Sequence, residues 1–204
     1  MSDGRLDAAD ERRLIHQAQG GCRVSARRLI DAHQDRLSAF VARMIRDRDD
    51  VEEICQEAFL KAFAALDSFD VQFRFSTWLF TIAYRLCLNT MRRHRSTVVG
   101  AADLSQFSTP DDGGAGDAVA NSDAARRLKS SIWGAVDELP AAQRATVLLF
   151  YREQLSCQQI GEILEIPAAT VKSHLHRARA RLRDALGGQL AADWSEVRFE
   201  ADAG

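Results

Sequence analysis

The chain has 204 residues, of which 46% are hydrophobic and 27% are charged, and its net charge is −2. This length suits one large domain or two small ones, and three prolines among many Ala, Leu, Arg and Glu residues favour helix over sheet. No apolar run approaches the roughly 18 residues that a membrane-spanning helix needs, and the N-terminus is polar and acidic, so we expect a cytoplasmic protein without a secretion signal.

The first half of the chain has the pattern of amphipathic helices, with apolar residues recurring at spacings of three and four. Gly20-Gly21 marks the end of the first helix, and residues 67–74 form a loop between the third and the fourth. The pattern predicts helices over residues 8–19, 25–46, 50–66 and 75–93.

Residues 96–123 interrupt this pattern. They include four glycines, one proline and five aspartates, but neither Lys nor Arg, which is typical of a flexible, acidic linker. Helical spacing resumes at Leu128 and continues to Leu139, and a further helix is expected over 140–151. The sequence therefore predicts an all-α fold of two small helical bundles on a tether. Its expected parts are an N-terminal domain (1–95), the flexible acidic linker (96–123), a C-terminal domain (124–187) and an acidic tail (188–204).

The most specific motif is a helix-turn-helix in the C-terminal domain. Ser156 and Gln159 have the spacing of a capping box that begins its first helix, Gly161 lets the second helix pack closely, and Ile166-Pro167 makes the turn. In the second helix the apolar residues Val171, Leu175, Ala178 and Leu182 are expected to face inward. The opposite face carries basic and hydrogen-bonding residues: Lys172, Ser173, His176 and Arg177.

That outer face suits the major groove of DNA. From Lys172 to Arg183 there are five Lys or Arg residues and no acid. A recognition helix presents such donors to base edges and phosphates. The alternative is a basic helix that merely faces solvent.

The loop at 67–74 and the helix after it form a second candidate DNA contact, because no acidic residue occurs between Asp70 and Asp103. Bases stack on aromatic rings and phosphates pair with Arg, so a mixture of the two is typical of a site for melted DNA. The alternative, which stays open for Trp78 above all, is that the aromatic residues belong to the core. The residues are Arg74, Arg85, Arg92, Arg93, His94 and Arg95, with Phe73, Phe75, Trp78, Phe80 and Tyr84 among them.

Residues 47–57 concentrate six acidic residues around an apolar stripe. On its own this pattern is usually a solvated helix face, and a surface for docking a protein is the alternative.

Metal binding and catalysis are not indicated. The cysteines stand 30 or more residues apart, and we interpret all of them as small core or boundary residues. His174 and His176 are two apart, so on a helix they point in different directions. We expect no metal, no cofactor and no enzymatic activity. The cysteines are Cys22, Cys55, Cys87 and Cys157.

Together these motifs resemble the extracytoplasmic-function sigma factors of bacterial RNA polymerase. Residues 50–69 (DVEEICQEAFLKAFAALDSF) and 75–83 (FSTWLFTIA) resemble the second conserved region of that family. Leu139-Pro, Arg144, Leu155-Ser and residues 170–179 (TVKSHLHRAR) resemble its fourth region. The resemblance covers about residues 8–187, in the family's order.

The resemblance implies three binding surfaces. The N-terminal bundle would bind the clamp helices of the polymerase β′ subunit, and the C-terminal bundle would sit on the β flap while its helix-turn-helix reads the promoter −35 element. The polymerase-binding residues would be Asp50, Glu53, Gln56 and Glu57, and the −35 residues Lys172, Ser173, His176 and Arg177. The −10 element would be melted, and one flipped base held, by Ser68, Phe69, Asp70, Val71, Gln72, Arg74, Trp78, Arg85, Asn89, Arg92 and Arg93.

Two departures and a regulator complete the comparison with the family. Relatives often carry Asn where this chain has Arg85, so we expect Arg85 to help set the −10 preference. Ala169 stands where the recognition turn usually has Gly. The family usually works with an anti-sigma factor in a stress or environmental response, and we expect the same here.

A stand-alone transcriptional activator is the competing hypothesis, because the run from Thr170 also resembles the helix-turn-helix of response regulators. That class requires a receiver domain in which strands and helices alternate. Residues 1–95 show no such alternation.

Overall fold

The computed structural model describes residues 6–71, 73–98 and 123–187. Gln72, residues 99–122 of the predicted linker and the predicted tail over 188–204 lie outside the described residues. Within the described ranges every regular element is helical, which confirms the all-α prediction. The helices are α1 (Ala8–Gln19), α2 (Arg23–Met44), α3 (Arg48–Ala64), α4 (Phe75–Val98), α5 (Asp123–Asp137), α6 (Ala141–Val147), α7 (Cys157–Leu164) and α8 (Ala168–Ala185), with a 3₁₀ turn at Leu66–Ser68 and a π-helical segment at Leu148–Arg152.

Helix boundaries follow the sequence closely, with local exceptions. Helix α1 has the predicted bounds, whereas α3 begins at Arg48 because the Asp47 side chain accepts hydrogen bonds from the next backbone N–H groups, at 2.9 Å and 3.1 Å. Helix α4 continues to Val98, so residues 96–98 are helical and not part of the linker. The reason is that no helix breaker occurs before Gly100.

The chain divides into two compact units, and the first of them contains α1 to α4. In this unit α1 packs on α2, α2 packs on α3 and α4, and α3 packs on α4. The Gln19 side chain donates to the Leu66 carbonyl at 2.9 Å, which joins the end of α1 to the 3₁₀ turn. The core is apolar, as the helical spacing predicts. Its largest fully buried side chains are Leu14, Ile15, Leu29, Leu37, Phe40, Phe75, Leu79 and Phe80.

An aromatic cluster joins the loop after α3 to the first turns of α4. The Phe69 ring stacks on Trp78 with centroids 4.7 Å apart and an interplanar angle of 26°. Phe75 meets both rings edge-on, at 6.0 Å and 5.9 Å. Such contacts add to the free energy gained by burying the rings, so the start of the loop is held firmly against α4.

In the second unit α5, α6 and α8 pack on one another. The Arg144 guanidinium donates to the backbone carbonyls of Asp137 and, at 3.1 Å, of Leu139, so it caps the end of α5. The helix predicted over 140–151 is present as α6 and the π-helical segment. Tyr151 in that segment accepts a hydrogen bond from Arg179 Nε at 2.7 Å, which ties the segment to α8.

Candidate DNA and polymerase interfaces

The helix-turn-helix consists of α7, a short turn and α8. The Ser156 N–H donates to Gln159 Oε1 at 3.0 Å and the Gln159 N–H donates to Ser156 Oγ at 3.2 Å, which confirms the capping box. A Cβ atom at Gly161 would lie 2.7 Å from the Ile166 carbonyl oxygen. Only glycine therefore lets the turn run this close to α7.

Helix α8 presents the predicted outer face to solvent. Val171, Leu175, Ala178 and Leu182 are buried, and the four predicted −35 residues, Lys172, Ser173, His176 and Arg177, are exposed. The Ser173 hydroxyl donates to the Ala169 carbonyl at 3.1 Å and keeps its lone pairs available as acceptors. His174 is half-buried, and burial, with the nearby charge of Arg177, lowers its pKa, so this histidine favours its neutral form. The positive charge of the face comes mainly from Lys172 and Arg177.

Helix α4 carries a second exposed basic face. Arg85, Asn89 and Arg92 are exposed at spacings of four and three, so they lie along one side of the helix. Arg93 is also exposed, beside this line. The predicted −10 residues of α4 that carry charge are thus brought together on a single surface.

In the loop before α4 the structure separates the predicted residues into two groups. Phe69 is buried and Trp78 is half-buried in the aromatic cluster, so their rings support the loop from within. Phe75, Phe80 and Tyr84 are buried as well, which settles the alternative for these rings in favour of core. Ser68, Asp70 and Arg74 are exposed and Val71 is half-buried, whereas Phe73, which was not among the predicted site residues, is exposed.

The acidic face of α3 is exposed at Glu53 and Gln56. Glu57 is half-buried, and one of its carboxylate oxygens lies 3.2 Å from Lys61 Nζ. Leu60 is 70% exposed and follows Gln56 by one helical turn, so it belongs to the same face. The sequence signal for Leu60 was its position outside the apolar stripe of α3.

Asp50 differs from the other acidic residues that were assigned to polymerase binding. Its side chain is 13% exposed, and its carboxylate lies 3.0 Å from His94 Nε2 and 3.6 Å from Arg93 Nη2 in α4. The prediction of Asp50 as a surface contact needs correction, because neighbours within the bundle surround this carboxylate.

The cysteines are placed less uniformly than predicted. Cys87 is buried and Cys55 and Cys157 are half-buried, but Cys22 is exposed, so the prediction was wrong for Cys22. In the described residues no group of three or more His, Cys, Asp or Glu side chains is arranged to hold a metal. Likewise, none of the described helices has the length and apolarity needed to span a membrane.

Comparisons with known proteins match both halves of the chain. The Sigma-70 region 2 family model matches residues 29–97, which include most of α2 and all of α3 and α4 to residue 97. The Sigma-70, region 4 model matches residues 129–182, which include the helix-turn-helix. The two matched regions therefore carry the three surfaces described above.

Individual relatives match nearly the whole chain. The ECF RNA polymerase sigma factor SigW of Bacillus subtilis (strain 168) is 33% identical over 183 residues, which are 86% of this chain and 96% of SigW. The ECF RNA polymerase sigma-E factor of Escherichia coli (strain K12) is 31% identical over 173 residues, 81% of this chain and 88% of that factor.

Among solved structures, the sigma factor RpoE from Bartonella quintana, determined in complex with the anti-sigma factor NepR, is similar with a TM-score of 0.64 and 25% identity. The similarity covers 80% of this chain and 97% of that one. The chain therefore belongs to the extracytoplasmic-function sigma factors of the sigma-70 family, non-catalytic initiation factors that bind core RNA polymerase and direct it to promoters.

Proposed function

We propose that this sigma factor divides promoter recognition among three surfaces: the outer face of α8 for the −35 element, the loop and basic face of α4 for the −10 element, and the acidic face of α3 for polymerase. The observation that carries the proposal is the capped helix-turn-helix, whose second helix exposes Lys172, Ser173, His176 and Arg177. The domain boundaries that we propose are those of the two units and the chain between them.

At the −35 element, Lys172 and Arg177 are proposed to contact bases or phosphates in the major groove. Arg pairs with the O6 and N7 atoms of guanine through two parallel hydrogen bonds, and Lys contacts the same acceptors. Both side chains project from the exposed side of a helix whose other side is fully packed, so the helix can enter the groove without losing its core.

At the −10 element, the line of Arg85, Asn89 and Arg92 is proposed to follow the backbone of the opened strand. Arg92 and Arg93 supply charge at the end of α4, where the chain has no acidic neighbour in sequence. Arg85 offers five donors and no acceptor, so it would favour a base that presents acceptors. Ser68, Asp70 and Arg74 are the exposed loop residues available to a flipped base, whereas Phe69 and Trp78 are proposed to act by holding the loop in place.

At the polymerase, Glu53 and Gln56 are proposed to contact the clamp helices of the β′ subunit, with Glu57 at the edge of the surface. Leu60 would add an apolar contact to the same face, because it is exposed one turn further along α3. Charged faces guide association, and a buried apolar side chain contributes more of the binding free energy. The C-terminal unit is proposed to sit on the flap of the β subunit.

Regulation and location follow from the same proposal. RpoE of Bartonella quintana was solved with an anti-sigma factor, and we propose that an anti-sigma factor also controls this chain, in a response to stress or to the environment. Because its partner enzyme transcribes the chromosome, we place the factor in the cytoplasm.

Transcription in vitro tests the proposal directly. Core polymerase with this factor is expected to start transcription at discrete sites on genomic fragments, and mapping those starts gives the promoter elements. The free protein is expected to bind duplex DNA weakly, because its basic surfaces are small and its net charge is −2. Tight, sequence-specific duplex binding by the free protein at physiological salt would instead favour the stand-alone activator.

A further inference from the structure

Phe73 is an aromatic side chain that the core does not use. It is 61% exposed, whereas Phe69 and Phe75 on either side of it are buried. Among the described residues, Val24 and Leu60 are the other large apolar side chains with this degree of exposure, and both lie on other helices. Phe73 is therefore an exposed ring within the loop that leads into α4.

The backbone on both sides of this ring is anchored. The Phe73 N–H donates to the Asp70 carbonyl at 3.1 Å, which closes a turn. Phe69 is stacked on Trp78, and Phe75 is fully buried at the first position of α4. Because the backbone is already ordered, a ligand that stacks on the ring does not have to order the loop first.

The surroundings of the ring favour an anionic ligand. Arg74 is exposed next to it, and residues 71–102 contain no acid. The N-terminus of α4 adds a partial positive charge immediately afterwards. A flat apolar surface beside a cation matches the two parts of an unpaired nucleotide, since the base stacks on the ring and the phosphate pairs with Arg. In a duplex both faces of each base are covered by its neighbours, so only an opened strand offers this contact.

We propose that Phe73 stacks on one unpaired base of the melted promoter strand, with Arg74 on an adjacent phosphate. This inference rests on the proposed function of the loop and of α4 at the −10 element, and it adds a contact to the face of a base and not to its edge. Every base has such a face, so the contact stabilises the open strand with little regard to sequence.

The test uses the holoenzyme and a promoter mapped by the transcription experiment, prepared both as a closed duplex and with a premelted −10 segment. Phe73→Ala is expected to weaken binding to the premelted template between about 5-fold and about 100-fold, which is the range for loss of one stacked base, and Phe73→Tyr is expected to restore it. Affinity for the closed duplex should not change. Val24→Ala, which truncates an equally exposed apolar side chain on α2, is the control and should have no effect.

Abasic substitutions along the premelted strand identify the partner base. At one position, removing the base should abolish the difference between the natural chain and Phe73→Ala, because the ring has lost the group it stacks on. An equal loss on every abasic template would overturn the proposal, since Phe73 would then act without touching a base. No loss on any intact template would overturn it as well, while the promoter binding of the natural holoenzyme would leave the proposed function standing. Failure of the natural holoenzyme to bind the premelted template would refute both.

Discussion

Asp50 of α3 and His94 of α4 lie with carboxylate oxygen and Nε2 3.0 Å apart. Arg93 approaches the other oxygen of the same carboxylate at 3.6 Å. The acidic helix proposed for polymerase and the basic helix proposed for DNA are thus joined by one largely buried carboxylate. We infer that this carboxylate competes with DNA phosphate for two cations at the end of α4.

Asp50→Asn is therefore expected to strengthen binding of the free protein to a single-stranded oligonucleotide, because Arg93 and His94 lose their competing anion. The slope of log K against log salt should steepen by about 0.7 for each additional phosphate that the protein neutralises. Asp49→Asn removes the same charge from the same turn of α3 at an exposed position and is the matched control. Fluorescence anisotropy at several salt concentrations measures both. Equal effects of the two variants would mean that only total charge matters.

In the recognition helix, Arg177→Ala or Lys172→Ala is expected to cost about 1–3 kcal/mol of promoter binding if the side chain reads a base, and to relax the −35 preference. Arg92→Ala should weaken binding without changing which −35 sequence is preferred. Competition of the holoenzyme among promoters with varied −35 elements measures the two effects separately. If both α8 variants kept the natural affinity and selectivity, the outer face of α8 would not be the reading surface.

Two residues beside α7 adopt a left-handed backbone conformation, Gln154 with φ of 55° and Glu165 with φ of 57°. A side chain is strained there by about 1–2 kcal/mol and glycine is not, although glycine loses more entropy on folding. Gln154→Gly and Glu165→Gly are each expected to raise the free energy of unfolding of the C-terminal unit, by about 0.5–1 kcal/mol. Ala169→Gly, in the right-handed first turn of α8, should lower it by about 1 kcal/mol. Denaturant titration distinguishes the opposite signs, and stabilisation by Ala169→Gly would contradict this account.

His174 gives the C-terminal unit a pH dependence. Burial, and then the charge of Arg177, holds its pKa below the ordinary 6.5, so the unfolded chain binds the proton more readily than the folded one. The contribution to stability is fully present above the ordinary value and is lost as the pH falls through the lowered pKa. NMR titration of the imidazole should show this low midpoint, and Arg177→Ala should raise it only in part because burial is the larger cause. A midpoint at or above the ordinary value would contradict the prediction.

The cysteines are expected to differ in reactivity towards iodoacetamide. Cys22 is exposed, and a hydrogen bond from the Ser25 side chain lowers its pKa, so it should be alkylated first. Burial raises the pKa of Cys55 to about 11 and of Cys87 to about 12, so both should react slowly in the folded protein. Mass spectrometry of a time course at neutral pH gives the order. Removing the Ser25 hydroxyl in Ser25→Ala should slow the reaction of Cys22.

The sequence alone was sufficient wherever the controlling contacts are local. The bounds of α1, the capping box of Ser156 and Gln159, and the division of α8 into an inner and an outer face all depend on residues within four positions of one another. Helical periodicity and capping chemistry act over that range, so both can be recognised in the sequence. The two bundles and the sigma-factor family followed from these elements in their order.

Other features depended on which helices pack together. Whether Phe69 or Phe73 faces the core is set by the position of Trp78, because the two phenylalanines are similar in sequence context. Asp50 looked like its acidic neighbours until α4 brought His94 and Arg93 against it, more than 40 residues away in the chain. Exposure and charge pairing are properties of surfaces formed by several elements. They are decided only when tertiary packing determines which side of each helix is covered.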